Sequence, residues 1–273
     1  MCRVLKLHSS GFYAWLIQPI SKRETEDQRL LKLIKEFYIA SGCTYGSPWI
    51  HRDLRESGEQ CSVHRVAKIM RRNGLKAKIG YKRRYQSGGK TSNVAQNILD
   101  RKFAPEAPNQ SWVSDITYVR TYEGFLYVAI VLDLFARKVV GWAMGSRIDR
   151  HLVLDAVLMA KLRRQPKDNV LFHSDQGSQY GSHDCVAFLK ENNMTPSMSR
   201  RGNCHDNAVA ESFFATFKKR VTQRKIYSTR SEAKTEIFNF IEMFYNPVKR
   251  HSHNQGLSPV EYERAYFKRL GSV

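Results

Sequence analysis

Apolar residues in the first eighty positions recur at helical intervals, and beyond residue 110 they alternate or run together as in strands. Across 21–40, Leu30, Leu33, Ile34 and Phe37 fall three and four apart, with acids early and Gly42 just past the end, which predicts a helix. Pro48, Trp49, Ile50 and Leu54 predict a short helix closing near Ser57-Gly58. Ser62 is placed to cap a second one, in which Val63, Val66, Ala67 and Met70 share a face and Asn73-Gly74 stops the turn. Two short helices about a tight turn have the form of a helix-turn-helix, with His64, Arg65, Lys68, Arg71 and Arg72 facing outward to DNA. A helical hairpin with a solvated basic face has the same pattern. The stretch that follows, with Lys82, Arg83 and Arg84 between Tyr81 and Tyr85 amid Gly and Ser, favours DNA, as a linker that tracks phosphates.

The second half reads as an α/β unit. Strands are predicted over 111–119, 125–133, 137–144 and 169–175, with a short fifth at 194–199; the 125–133 run is apolar on successive residues, as a strand covered on both faces must be. Helices are predicted over 151–164, 182–192 and 231–245, the last carrying Ile237, Phe240, Ile241 and Phe244 as one stripe. A three-strand meander followed by alternating helix and strand makes a mixed sheet, not a doubly wound one. No glycine-rich dinucleotide or P-loop motif occurs, which argues against a nucleotide cofactor. Pro105 and Pro108 place the boundary between a helical, basic region at 1–104 and the α/β unit at 105–273, which ends in a C-terminal helical tail.

Charge sharpens this picture. Lys and Arg number 45 against 25 acids, a net charge of +20, and a polyanion such as nucleic acid is the natural partner for that excess. No apolar run of membrane-spanning length and no signal peptide is present, so a soluble, cytosolic protein is expected. Five cysteines (Cys2, Cys43, Cys61, Cys185 and Cys204) form no paired motif and read as free thiols.

Residues 201–218, RGNCHDNAVAESFFATFK, hold two acids with different prospects. At about 100° per residue, Val209, Ala210, Phe213, Phe214 and Phe217 share one apolar face, and Glu211 and Lys218 lie side by side along its edge. Asp206 precedes that pattern and reads as the N-cap. Glu211 is then an acid at the core margin, and it needs partners. Asp115 lies inside the first strand and Asp175 at the end of the fourth, where the chain turns through Gly177. Three clustered carboxylates repel unless divalent cations neutralise them, and such hard oxygen ligands suit Mg²⁺ or Mn²⁺. Two ions about 4 Å apart can activate a water or hydroxyl and stabilise the leaving oxygen of a phosphoryl transfer. Asp133 reads as a turn or hydrogen-bond acid, His173 as a packed residue, His251 and His253 as weak zinc candidates, and Trp112 and Trp142 as core.

Asp115, Asp175 and Glu211, with 35 residues between the last two and Lys218 seven beyond, resemble the D-D-35-E motif of retroviral integrases and transposases. The segments WVSDITYV, VLDLFARKVVGW, FHSDQGSQY, GNCHDNAVAESFFATFK and YNPVKRHSHNQGLSPVEYE, in that order, resemble the second-reading-frame protein of two-frame bacterial insertion sequences, and HSSGFYAWL at 8–16 resembles that protein's start. This resemblance implies an RNase H-like catalytic core and a Mg²⁺-dependent transposase that cleaves the 3′ ends of its element and joins them to target DNA. It also implies metal binding by Asp115, Asp175 and Glu211, DNA contact by Lys218, and assembly as a homo-oligomer on DNA. A first-reading-frame protein would be the partner, joined by ribosomal frameshifting. The start MCRVLKLHSSGFYAW, with nothing resembling that partner's end-recognising helix-turn-helix or leucine zipper, fits a second-frame product. A non-catalytic DNA-binding remnant or regulator, and an RNase H-like nuclease that cuts without joining, are the alternatives.

Overall fold

The computed structural model describes residues 8–17, 20–78, 94–200, 204–222 and 225–271. The chain divides into two compact units, Met1–Ile79 and Gly80–Val273.

The first unit is helical. Helix α1 (Ser9–Ile17) buries none of its residues, while α2 (Lys22–Ala40), α3 (Ser47–Glu56) and α4 (Val63–Arg72) share one core of Leu30, Ile34, Tyr45, Ile50, Leu54, Val66, Ile69 and Met70. The ends follow the local chemistry. Ser21 Oγ accepts from Glu24 N at 3.1 Å and Ser62 Oγ from Arg65 N at 3.2 Å. Gly58 and Gly74 stop α3 and α4 at φ of +91° and +66°, a region closed to most side chains.

In the second unit a five-stranded sheet runs β3 (Lys138–Gly145), β2 (Gly124–Asp133), β1 (Ser111–Thr121), β4 (Val170–Ser174), β5 (Met194–Met198). β1 pairs antiparallel with β2 and parallel with β4, so the expected RNase H-like mixed sheet is present. One face, through Val113, Val119, Leu126, Val128 and Ile130, packs on Phe213, Phe214 and Phe217 of α7 (Ala208–Phe217) and on Ile237 of α8 (Arg230–Phe238). The other, through Trp112, Ala129 and Val131, packs on Val153, Ala156, Val157 and Ala160 of α5 (Arg150–Arg164) and on Cys185 and Leu189 of α6 (His183–Glu191). Close approach of β3 to α5 depends on Gly141, where an added Cβ would lie 2.2 Å from Ala156 O and 2.7 Å from Ala160 N.

Three local expectations change. The division falls upstream of residue 105 because the segment before β1 belongs to this unit: Leu99 is buried in its core, and Ile98 and Leu99 N donate to Ser197 Oγ at 2.9 and 3.2 Å. The helix expected over 231–245 widens into a π segment at Asn239–Tyr245 while still burying Phe240, Ile241 and Phe244. The C-terminal helical tail expected of the α/β unit, its bounds left open by the sequence, includes α9 (Pro259–Leu270), which opens with a full capping box between Ser258 and Glu261. Trp142 is only partly buried, because its Nε1 turns to donate to Glu242 at 2.8 Å. Asp133 behaves as read, accepting from Asn109 N at 2.8 Å and Phe135 N at 2.9 Å in the turn after β2. Among the described residues no helix is long and apolar enough to cross a membrane.

Candidate active site

β1 and β4 pair over only three residues each, ending with Val113 opposite His173. Two residues further along each chain lie Asp115 and Asp175, so the parallel register carries both acids to the open end of this pair. Asp115 Oδ1 accepts from Ile116 N at 2.7 Å, and Asp175 Oδ1 from Gly177 N at 3.0 Å. The loop after Asp175 is fixed from below: buried Tyr180 bonds Ser114 Oγ at 2.8 Å, and that hydroxyl donates to Ile130 O at 2.8 Å. The apolar face of α7 packs under β1, which leaves Glu211 exposed along the helix edge and Lys218 exposed where α7 passes into a π turn at Lys218–Thr222.

Electrostatics tie these groups together. Burial pushes the Asp115 carboxyl up to about 7; Asp175 and Glu211 add to that rise and Lys218 opposes it. Burial also raises Asp175. The fields of the other two acids and of Lys218 therefore reach Asp115. Among the described residues no three His, Cys, Asp or Glu side chains converge closely enough to hold one ion. The donor chemistry nonetheless fits a hard divalent cation: the ligands are carboxylate oxygens, and burial first, with the charges of Asp175 and Glu211 after it, disfavours an uncompensated charge on Asp115.

The N-cap reading of Asp206 is corrected. A 3₁₀ turn at Cys204–Asn207 precedes α7, and the cap position is Asn207, which makes no side-chain cap bond. Asp206 is fully buried and accepts from Arg200 N (3.0 Å), Arg200 Nε and Nη2 (2.9 Å each), Arg101 Nε (3.1 Å) and Asn97 Nδ2 (3.0 Å). The Arg200 guanidinium, first among these, holds its carboxyl well below the usual range. His173 is packed as expected, bonded through Nδ1 to Ser197 Oγ at 2.9 Å and through Nε2 to Ser199 Oγ at 3.0 Å; burial lowers it to about 4, so the ring is neutral at pH 7. His251 meets Tyr245 edge to face, with ring centroids 5.1 Å apart, and His253 bonds Phe135 O at 3.2 Å. Nothing local in the sequence marks Arg101, Arg200 or Asn97 as partners of Asp206; Arg101 lies 105 positions away.

Of the residues expected to face DNA, His64, Lys68, Arg71 and Arg72 are exposed on α4. Arg65 is less exposed than the others, its Nε paired with Asp27 of α2 at 2.6 Å. Lys82, Arg83 and Arg84 lie outside the described residues.

The sequence matches the HTH-like domain family over residues 25–85 and the integrase core domain family over 105–204 and again over 211–267. The transposase InsF of insertion sequence IS3A from Escherichia coli (strain K12) is 40% identical over 96% of this chain and 92% of its own. The uncharacterized 31 kDa protein of insertion element IS600 from Shigella sonnei is 37% identical over 97% of this chain and 98% of its own. The HTLV-2 integrase catalytic core domain, solved in complex with magnesium, aligns with a TM-score of 0.42 at 12% identity over 58% of this chain and 98% of that one. With an HTH-like domain, an integrase core and that identity over nearly its whole length, the chain belongs to the IS3-type family of insertion-sequence transposases.

Proposed function

We propose that the chain is an active DNA transposase that cuts the 3′ ends of its element and joins them to target DNA. In the first step water attacks the phosphorus at each element end, and the bond to the element's 3′ oxygen breaks, leaving a 3′ hydroxyl. In the second that hydroxyl attacks a target phosphate, forms a new P–O bond and expels the target's own 3′ oxygen. The observation that supports this reading is the register that carries Asp115 and Asp175 to the open end of the β1–β4 pair, with α7, the helix that bears Glu211 and leads to Lys218, packed against β1. Asp115, Asp175 and Glu211 would hold Mg²⁺ or Mn²⁺, two ions in our reading, which when bound activate the attacking oxygen and stabilise the leaving one. Lys218 meets a phosphate beside the scissile bond, while α4 and the basic linker hold flanking DNA. The test is a strand-transfer assay with labelled element ends and Mg²⁺. Cutting without joining would identify a nuclease, and DNA binding without either a regulator.

Lys218→Ala is expected to weaken DNA binding at every sequence while leaving the melting temperature within about 1 °C, since its side chain is exposed. The slope of log K against log salt should fall in magnitude by about 1, the signature of one lost phosphate contact. Binding measured over a salt series decides it: an unchanged slope makes Lys218 a solvated surface lysine.

The chain acts as a homo-oligomer on DNA and, in our reading, takes end recognition from the first-frame partner to which frameshifting joins it. Phosphate contacts position a protein without carrying sequence information. This chain alone should therefore prefer terminal-repeat over scrambled DNA by less than about a hundredfold, or about 2.7 kcal/mol. Competition binding at physiological salt, with the fusion alongside, would refute the partner's role if the chain alone exceeds that preference.

A further inference from the structure

We propose that Asp206 is a positioning residue for Glu211, clamping the entrance of α7 to the end of β5 and to the segment that leads into β1. The inference rests on the catalytic reading of Glu211 given above.

The contacts form one connected network. Asp206 binds Arg200, two residues past β5, and Arg101 and Asn97 from the segment before β1. That segment is held again through Ser197 Oγ, which accepts from Ile98 and Leu99 N and meets His173 on β4. The network then reaches the other side of the site: Ser199 N donates to Ser174 O at 2.9 Å, and Gln176 Nε2, one residue past Asp175, donates to Ser199 O at 3.0 Å. Asp206 thus links the loop carrying Asp175 to the helix carrying Glu211, which begins two residues later.

Energetics are consistent with positioning. Burying a carboxylate is tolerable only when it is paired and fully hydrogen-bonded, and Asp206 has five donors. Its arginine partners are about half exposed, at 52% for Arg200 and 48% for Arg101, and can return to water when the carboxylate is removed. The clamp stabilises the fold at neutral pH, since its carboxyl is held below the usual range, and it ties the start of α7 to two other segments, so a kinetic loss larger than the stability loss is its signature. A ligand displaced by about 1 Å can cost a hundredfold in rate.

The experiment compares Asp206→Asn, Arg101→Leu and Arg101→Lys in the full chain, with Glu211→Gln as a separate control. For Asp206→Asn the expected result is a kcat for strand transfer down by about ten- to a hundredfold, with KM for DNA within about twofold. Mn²⁺ should bind more weakly to the DNA-free protein, and amide exchange should quicken at residues 208–213. Arg101→Leu should shift all of these in the same direction, and Arg101→Lys should restore most of the loss. The inference is overturned if kcat and exchange stay at wild-type values, or if kcat, DNA affinity and thermal stability fall together as in general unfolding. Glu211→Gln should be inactive with wild-type exchange; full activity there would sink the catalytic reading itself, whatever the Asp206 variants do.

Discussion

Asp115→Asn, Asp175→Asn and Glu211→Gln are each expected to lower both cleavage and joining by at least about a thousandfold, or about 4 kcal/mol of barrier. Each swap keeps the shape and removes the charge that a cation would balance. DNA affinity should change little, because the phosphate-holding charges are elsewhere. Stability separates this from simple damage. An acid whose carboxyl is raised on folding opposes the fold once pH exceeds its ordinary value, and Asp115, near 7, is such a group. Without divalent cations, Asp115→Asn should therefore melt at or above the wild-type temperature at pH 7. Wild-type rates in Glu211→Gln, or a lowered melting temperature in Asp115→Asn, would contradict this account of the site.

The second large effect is one of packing. Gly141→Ala places a methyl group where Ala156 O, Ala160 N and Ala160 Cβ stand 2.2, 2.7 and 2.8 Å away. The first two are helix backbone and cannot rotate aside, so α5 must lift from β3. The expected cost is about 3 kcal/mol, near the upper end for overpacking. That corresponds to a melting temperature lower by about 6–12 °C in a domain of this size. Gly145→Ala on the same strand is the control: its nearest neighbour is the flexible end of Leu152 at 3.4 Å. Similar melting temperatures for the two variants would show that α5 yields where the packing says it cannot.

The sheet and most of its helices were legible because their signals are local. The strand running to Asp133 is apolar up to Leu132 and is buried on both faces from Val128 onward, and Ser62 caps the helix it precedes. The placement of Asp115 in β1, of Asp175 just past β4 and of Glu211 at a helix edge was legible from strand pattern and from the amphipathic face of α7. Asp206 was misread for a physical reason. An acid just ahead of an apolar period looks like a cap, and its actual partners are set by tertiary packing, with Arg101 far away in the chain. Arg65 is a milder case: helical spacing turns it outward, and Asp27 on a neighbouring helix pairs with it. The helical tail could be expected but helix α9 could not be bounded, because it buries only Pro259 and Glu263, which leaves almost no apolar stripe to detect.

Glu263 has a consequence for how the protein is made. It is 5% exposed and bridges Lys138 at 2.6 Å and Arg164 at 2.5 Å, joining the start of β3 and the end of α5 to a helix near the end of the chain. Synthesis runs from the N-terminus, and domains fold as units in that order. A chain halted before α9 leaves Arg164, only 12% exposed, with Asp133 and Asn109 but without the Glu263 carboxylate. Neither face of the sheet draws its core from α9, so such a chain is expected to keep its sheet and lose the tie between β3 and α5. Completion of the chain thus locks a sheet that is already built.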